Sequence, residues 1–404
     1  MSDDKVPTGV QLTPFDPDYL ENPYPILKKL RDTDPFHHDT QLQRFFPCRY
    51  EDVKAILRDS DLLTDPNSSK TDSFARHFFS GESSEEISML LADEPRHRRL
   101  RGLVNELFKP KAVEKWRGRI EQIVQQQLDQ IEGPDFDLVS DFAAPVPTVV
   151  IAEIMAIPAE RQADFKQWSD MGAEAIFSPA PSDEALASAA EGNQLMSDFL
   201  LQQISERRHS PREDLISQLI TSEIDGDRLT DEEIVSQCTL LLLAGNLTTT
   251  DMIGNGVRAL LEHPDQLAKL RDTPTLIEDA VEEILRYDSP VLNSGRITHE
   301  QTEIQGCPIE KGECLHVSLA AANHDPAVYT DPEIFDIERP RVQHQSFGGG
   351  RHHCLGAFLA RLEGQIAILG LVQRFPGLAM SERGFAQKLA PEFRGMTHCW
   401  LTTW

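Results

Sequence analysis

Along this chain apolar residues recur at spacings of three and four far more often than they alternate, so helices are expected to dominate. Pro95 to Ile131 reads as one or two long helices broken near Pro110, and Asp141 to Ile157 and Ala185 to Arg207 read as further helical stretches. The clearest element opens at Thr230, which with Glu233 carries a capping-box signature. It runs unbroken to Glu262, and Pro264 stops it. A helix of that length is roughly 50 Å long, enough to cross a whole domain. Its centre, Leu240 to Ala244, is apolar all round and is expected to be buried. Thr275 and Glu278 pattern as a second capping box, opening a shorter helix that ends near Tyr287, ahead of Pro290. Between Ile297 and Val317 the character changes to short alternating runs with turn signals at Gly306 and Lys311-Gly312, a small β region to which the termini add more. A Pro- and Asp-rich irregular stretch, a glycine cluster and a last long helix from about Leu355 to Arg374 follow. The fold class expected is mainly α with a minor β region.

Composition narrows the function. A chain of 404 residues, 40% of them hydrophobic, can bury a large core. Length alone suggests two or three domains, yet no Ser/Gly tract, charge block or internal repeat interrupts it, so residues 1–404 read as a single domain. A net charge of −27 argues against nucleic acid or an anionic membrane as partner. Met1 to Leu20 holds no apolar stretch of a secretory signal or anchor, and the long helix is too polar at its flanks to span a bilayer. Six cysteines lie scattered without a CxxC pair, the pattern of reduced thiols in the cytoplasm, with a Cys307–Cys314 disulfide as the less favoured alternative.

The most specific segment is Phe347-Gly348-Gly349-Gly350-Arg351-His352-His353-Cys354-Leu355-Gly356. Its glycines free the backbone and allow close approach to a flat ligand. Cys354 precedes an apolar helix, whose unpaired N–H groups and partial positive charge favour a thiolate. A thiolate so held is a soft, strongly donating ligand of the kind that favours O–O cleavage at heme iron. An inert core cysteine, a phosphate loop and a zinc site are the competing readings. The Lys-Ser/Thr ending of a phosphate loop is missing, and no second ligand pair stands at zinc spacing.

The segment resembles the heme-binding loop of the cytochrome P-450 family, Phe-Gly-x-Gly-x-His-x-Cys-x-Gly, at every specified position of 347–356. The continuation Ala357 to Glu363 is similar to bacterial members. Further segments match in the right order, so the likeness covers nearly the whole chain. Glu283-Ile284-Leu285-Arg286, followed by Tyr287-Asp288-Ser289-Pro290, looks like the ExxR pair, which implies a structural brace with Arg339. Asp93 to Arg101 is similar to the helix that grips the heme propionates; His97 and Arg101 stand four apart on one face. Arg296 and His352 are the other propionate positions, and Phe347, Gly350 and Gly356 belong to the heme loop. His324 stands where the family often has Arg, which leaves one local brace open.

The resemblance implies the P-450 fold, a long central helix over heme b, and Cys354 as the metal ligand. In that helix Ala244-Gly245-Asn246-Leu247-Thr248-Thr249 resembles the oxygen-activating segment. Ala244 and Gly245 would leave room for dioxygen, and the Thr248 hydroxyl, four residues on, can bond back to the Ala244 carbonyl and bend the helix. Leu247 occupies the usual acidic position and cannot relay a proton, so ordered water, Asn246 or Asp251 must substitute, or peroxide is used instead. The activity implied is a monooxygenase that hydroxylates or epoxidises a small, largely apolar substrate with O2, fed by a separate ferredoxin or flavodoxin and its reductase. A peroxide-using or coupling variant, and a non-catalytic heme carrier or sensor, are the alternatives. Pocket walls are expected to include Phe74, Phe78, Phe79, Ile176, Phe177, Leu240, Val291, Leu292 and Phe393, with Asn293 and Ser294 orienting a polar group. Arg98, Arg99, Lys109, Lys111, Arg351 and Arg361 are expected to form a basic face toward an acidic ferredoxin.

Overall fold

The computed structural model describes residues 5–79, 88–177, 182–224 and 226–403, without the side chains at 78, 79, 163, 169, 170 and 173–177. Helices dominate. Those used below are α1 (Tyr50–Arg58), α2 (Arg96–Asn105), α3 (Asp231–Glu262), α4 (Ile277–Tyr287) and α5 (Ala357–Arg374). The strands used are β1 (Phe36–Asp39), β2 (Arg44–Pro47), β3 (Asn293–Ile297) and β4 (Cys314–Ser318). The chain divides into two compact units, one of Met1–Ile87, Gly254–Cys354 and Phe385–Thr397, the other of Ser88–Ile253, Leu355–Gly384 and His398–Trp404.

The first unit is built on a four-stranded sheet in the order β1-β2-β4-β3. β1 and β2 are antiparallel, β2 meets β4 in parallel at Phe45–Leu315, and β3 runs antiparallel to β4 from Asn293–Ser318 to Ile297–Cys314. Every residue of β4 is buried, including His316, so this strand is covered on both faces instead of alternating. α1 lays Val53, Ile56 and Leu57 against Phe45, Leu315 and Val317. At roughly 1.5–3 kcal/mol per fully buried aliphatic side chain, that face is what fixes α1 on the sheet. The turn signals at Gly306 and Gly312 sit at positive φ, +73° and +80°, where L side chains are strained. The second capping box does not form: Pro274–Leu276 is a 3-10 turn, α4 begins at Ile277, and no side chain caps it. Proline's fixed φ starts that turn and carries Thr275 into it.

In the second unit, α3 starts where its pattern predicts. The Glu233 N–H donates to Thr230 Oγ1 at 3.2 Å, and the Thr230 N–H donates to Glu233 Oε2 at 3.0 Å. The stretch expected as one or two helices is cut more finely, into Arg96–Asn105, Pro110–Val113 and Arg117–Asp129 with 3-10 turns between. Asp141 to Ile157 likewise becomes a π turn, Val139–Ala143, ahead of the helix Pro145–Ile154. Pro145 takes the first helical position, where its missing N–H costs nothing. Ser182 caps Asp183–His209 by accepting from the Ala185 N–H. α5 packs closely on Arg117–Asp129, and a Cβ added at Gly370 would come within 3.2 Å of Val124 Cγ1. Among the described residues no helix is long and apolar enough to cross a membrane.

Candidate functional site

The cysteine loop lies in the first unit, on a framework of buried polar bonds. Glu283 and Arg286 face one way from α4, three residues apart, and both are buried. Arg286 donates from Nε to Glu283 Oε2 at 2.7 Å and from Nη2 to Oε1 at 2.8 Å. Arg339 Nε donates to the same Oε1 at 3.1 Å. Arg286 Nη1 also reaches the carbonyls of Asn323 and Pro332. Asn323 then passes the connection on: its Oδ1 accepts from the Gln345 N–H at 2.7 Å and its Nδ2 donates to Ser346 Oγ at 2.8 Å. Ser346 Oγ donates in turn to the Leu285 carbonyl of α4. Sequence reasoning missed Asn323 and Ser346 as members of this brace; Asn323 directly after the apolar run Leu319–Ala322 was the available signal, and Ser346 in a polar stretch offered none.

His324 occupies the position left open above. It is buried, stacked on Tyr24 with centroids 4.3 Å apart, and bonded to the Tyr287 carbonyl at 3.0 Å and to Glu333 at 3.3 Å. Burial holds its pKa below the usual histidine value.

From this frame the loop turns through Gly348 (φ +66°) and Gly350 (φ +65°). The Gly348 N–H donates to the Gln345 carbonyl at 2.7 Å, and the Cys354 N–H to the Phe347 carbonyl at 2.9 Å. The Phe347 ring lies 5.7 Å from that of His344 and 6.3 Å from that of His353. His352 ends a 3-10 turn, Gly350–His352. Arg296, on β3, is buried and donates to the carbonyls of Gly295 (2.7 Å), Leu57 (3.2 Å) and Gly349 (3.4 Å). α5 starts at Ala357, after a turn at Leu355-Gly356, so Cys354 stands three residues ahead of the helix instead of immediately before it.

None of the six cysteines is in a disulfide, and Cys354 is the exposed one. Burial pushes the Cys238 and Cys314 thiols up to about 12 and Cys48 higher still. An exposed sulfur on a bonded loop, with histidine and arginine beside it in sequence, is a donor set that fits heme iron. No group of three or more His, Cys, Asp or Glu that could hold a metal ion occurs among the described residues.

The other predicted residues belong to the second unit. α3 is continuous through Ala244 to Thr249, and its centre is not buried all round: Leu240, Leu243, Leu247 and Thr248 are half-buried and Ala244 is exposed. These positions share one side of the helix at spacings of three and four, leaving an open apolar stripe. A Cβ on Gly245 would meet nothing within 4 Å among the described residues. Thr248 Oγ1 donates to the Ala244 carbonyl at 2.9 Å, and Thr250 Oγ1 to the Asn246 carbonyl at 2.8 Å. Asp251 is buried. On α2, His97 is buried and Arg101 half-buried. Arg99 is not part of an open basic face, because its guanidinium holds Asp227 and Glu233. Lys109 is paired with Glu106. In the first unit Arg351 bonds the Ser60 carbonyl. On α5, sequence reasoning passed over Glu363: it is buried, its Oε2 has no hydrogen-bond partner among the described residues, and burial pushes its pKa up to about 8.

Several pocket-wall expectations need correction. Phe74 is core, stacked on His316 with centroids 4.6 Å apart, and Leu292 is core as well. Asn293 turns inward toward Glu392, which accepts from His316 at 2.9 Å, so burial has claimed it for structure. Phe78, Phe79, Ile176 and Phe177 lie outside the described side chains.

The fold is mainly helical and presents the Cys354 thiol from a braced glycine loop. The cytochrome P450 family model matches residues 41–273 and 274–393. The chain is 36% identical to the polyketide biosynthesis cytochrome P450 PksS of Bacillus subtilis, covering 91% of this chain and 92% of that protein. It is 38% identical to the cytochrome P450 monooxygenase PikC of Streptomyces venezuelae, covering 93% and 89%. A crystal structure of P450BioI in complex with a hexadec-9Z-enoic acid-ligated acyl carrier protein superposes with a TM-score of 0.86 at 35% identity, covering 96% of this chain and 99% of that one. This chain therefore belongs to the cytochrome P450 family, and is an oxidoreductase of its heme-dependent monooxygenase class.

Proposed function

We propose that the chain, as one catalytic domain over 1–404, hydroxylates or epoxidises a largely apolar substrate with O2, using heme b ligated by Cys354. The observation that carries this reading is the exposed Cys354 on a loop tied down by the Gly348, His353 and Cys354 amides and by the Glu283–Arg286 frame. His97, Arg101, Arg296 and His352 would meet the heme propionates, with Arg suited to a carboxylate by its fork of donors. Phe347, Gly350 and Gly356 would line the loop side of the ring. Bound heme supplies the iron at which dioxygen is reduced.

The chain's own residues do the rest. The open stripe of α3, with Ala244 and Gly245, leaves space beside the helix for small molecules. Thr248 holds a proton at Oγ1, anchored by the Ala244 carbonyl, and passes it on. Leu247 cannot supply that proton. Ordered water does so in this reading, and electrons come from a separate ferredoxin or flavodoxin with its reductase, in the cytoplasm.

Replacing Cys354 by Ser tests the ligand: wild type should give a thiolate-type reduced-CO spectrum and C354S should not. Retention of that spectrum, or absence of porphyrin from wild type, refutes the reading. A carrier-bound acyl chain is a second substrate reading, favoured by the complex in which the structural neighbour was solved. Spin-state shifts with free apolar compounds but not with an acyl carrier protein would decide for the first.

A further inference from the structure

We propose that Arg296 is a positioning residue for Cys354, bolting the glycine turn ahead of the cysteine onto the C-terminal end of α1. The proposal rests on the reading of Cys354 as the ligand, but differs from a contact to propionate, because it concerns bonds that the guanidinium makes within the protein.

The last carbonyls of a helix lack partners within it and carry partial negative charge. At the end of α1 two arginines supply what is missing. Arg296 Nη2 donates to the Leu57 carbonyl at 3.2 Å, and Arg351 donates to the Ser60 carbonyl just beyond. The same Nη2 reaches the Gly349 carbonyl at 3.4 Å, so one guanidinium joins the helix end to the loop. Nη1 is held on the Gly295 carbonyl at 2.7 Å, which fixes the fork on β3.

The loop is shaped to accept this bolt. A Cβ on Gly350 would stand 2.3 Å from the Leu57 carbonyl oxygen and 3.0 Å from Arg58 Cα, at a φ of +65°. A Cβ on Gly349 would stand 3.1 Å from Leu57 Cβ. Glycine here permits backbone to lie on backbone, and the freedom that makes this possible also leaves the turn floppy unless something pins it. Two further bonds clamp the approach to the turn: Tyr50 Oη donates to the Gln343 carbonyl at 2.5 Å, and Arg58 Nη2 to Gln343 Oε1 at 3.2 Å. Lysine could satisfy one of these carbonyls but not bridge three, since it is a point charge without a planar fork.

The test compares full-length holoenzyme with R296Q, R296K and R101Q by hydrogen–deuterium exchange and by the reduced-CO spectrum. Loss of charge-assisted bonds should speed exchange of the amides at 343–354 in R296Q by roughly ten- to a hundredfold. R296K should fall between R296Q and wild type and restore part of the thiolate-type spectrum, while exchange around Glu283 stays unchanged in both. R101Q, altered at another propionate position, should leave exchange at 343–354 at the wild-type rate. Equal loop exchange in R296Q and R101Q, or wild-type exchange in R296K, overturns the proposal. Failure of the wild type to bind heme would overturn the functional reading instead.

Discussion

Glutamate 283 offers the sharpest quantitative test of the brace. Its carboxylate receives Arg286 Nε (2.7 Å) and Nη2 (2.8 Å), Arg339 Nε (3.1 Å) and the Asp336 N–H (3.0 Å), and its side chain is 3% exposed. Glu283→Gln keeps the shape but removes the charge and turns an NH2 toward the guanidinium donors. Arg286, equally buried, is then left without its counter-ion. Breaking a buried pair on one side costs about 3–5 kcal/mol, a large part of the roughly 5–15 kcal/mol that holds a typical domain together. Glu278 lies on the same helix and pairs with Arg341, but its side chain is 64% exposed. Glu278→Gln should cost no more than about 1 kcal/mol. Urea unfolding followed by far-ultraviolet circular dichroism and by heme absorbance measures both. A loss in E283Q below about 1 kcal/mol, or no greater than in E278Q, would refute the argument that burial gives this pair its weight.

Thr248→Ala removes the hydroxyl that donates to the Ala244 carbonyl, and should lower product formed per NADH while hydrogen peroxide release rises; unchanged coupling would dismiss Thr248 from proton delivery. Glu363→Gln should flatten the dependence of stability on pH. Burial raises the Glu363 pKa from 4.5 to about 8, so the folded state keeps a proton that the unfolded state sheds. Its stabilising effect is complete below about pH 4.5 and is lost as pH rises toward 8, by up to about 5 kcal/mol at 1.36 kcal/mol per unit. Denaturant midpoints of wild type and E363Q should therefore diverge progressively between these pH values, with E363Q the more stable at the alkaline end; parallel curves would contradict this.

The long helix was legible because pattern and cap agree: Thr230 and Glu233 bond each other as their spacing predicts. Thr275 and Glu278 show the same spacing, yet Pro274 imposes a local turn that outcompetes the cap. The loop of glycines could be placed, since positive φ at Gly348 and Gly350 is a local demand. What it rests on could not. That Gly350 lies on Leu57, that Asn323 ties α4 to Ser346, and that Phe74 packs inward against His316 are contacts between distant segments, and residue type alone does not encode them. Apolar composition also misled at Leu240 to Ala244, where a greasy helix surface reads the same whether it meets core or an open face.

The distribution of sulfur bears on durability. Thiols react with oxidants chiefly as thiolates, and Cys48, Cys238 and Cys314 are kept protonated by burial. Those three thiols are thereby held away from oxidants. Cys354, exposed on its loop, would gain the same shelter once its sulfur ligates iron as proposed above.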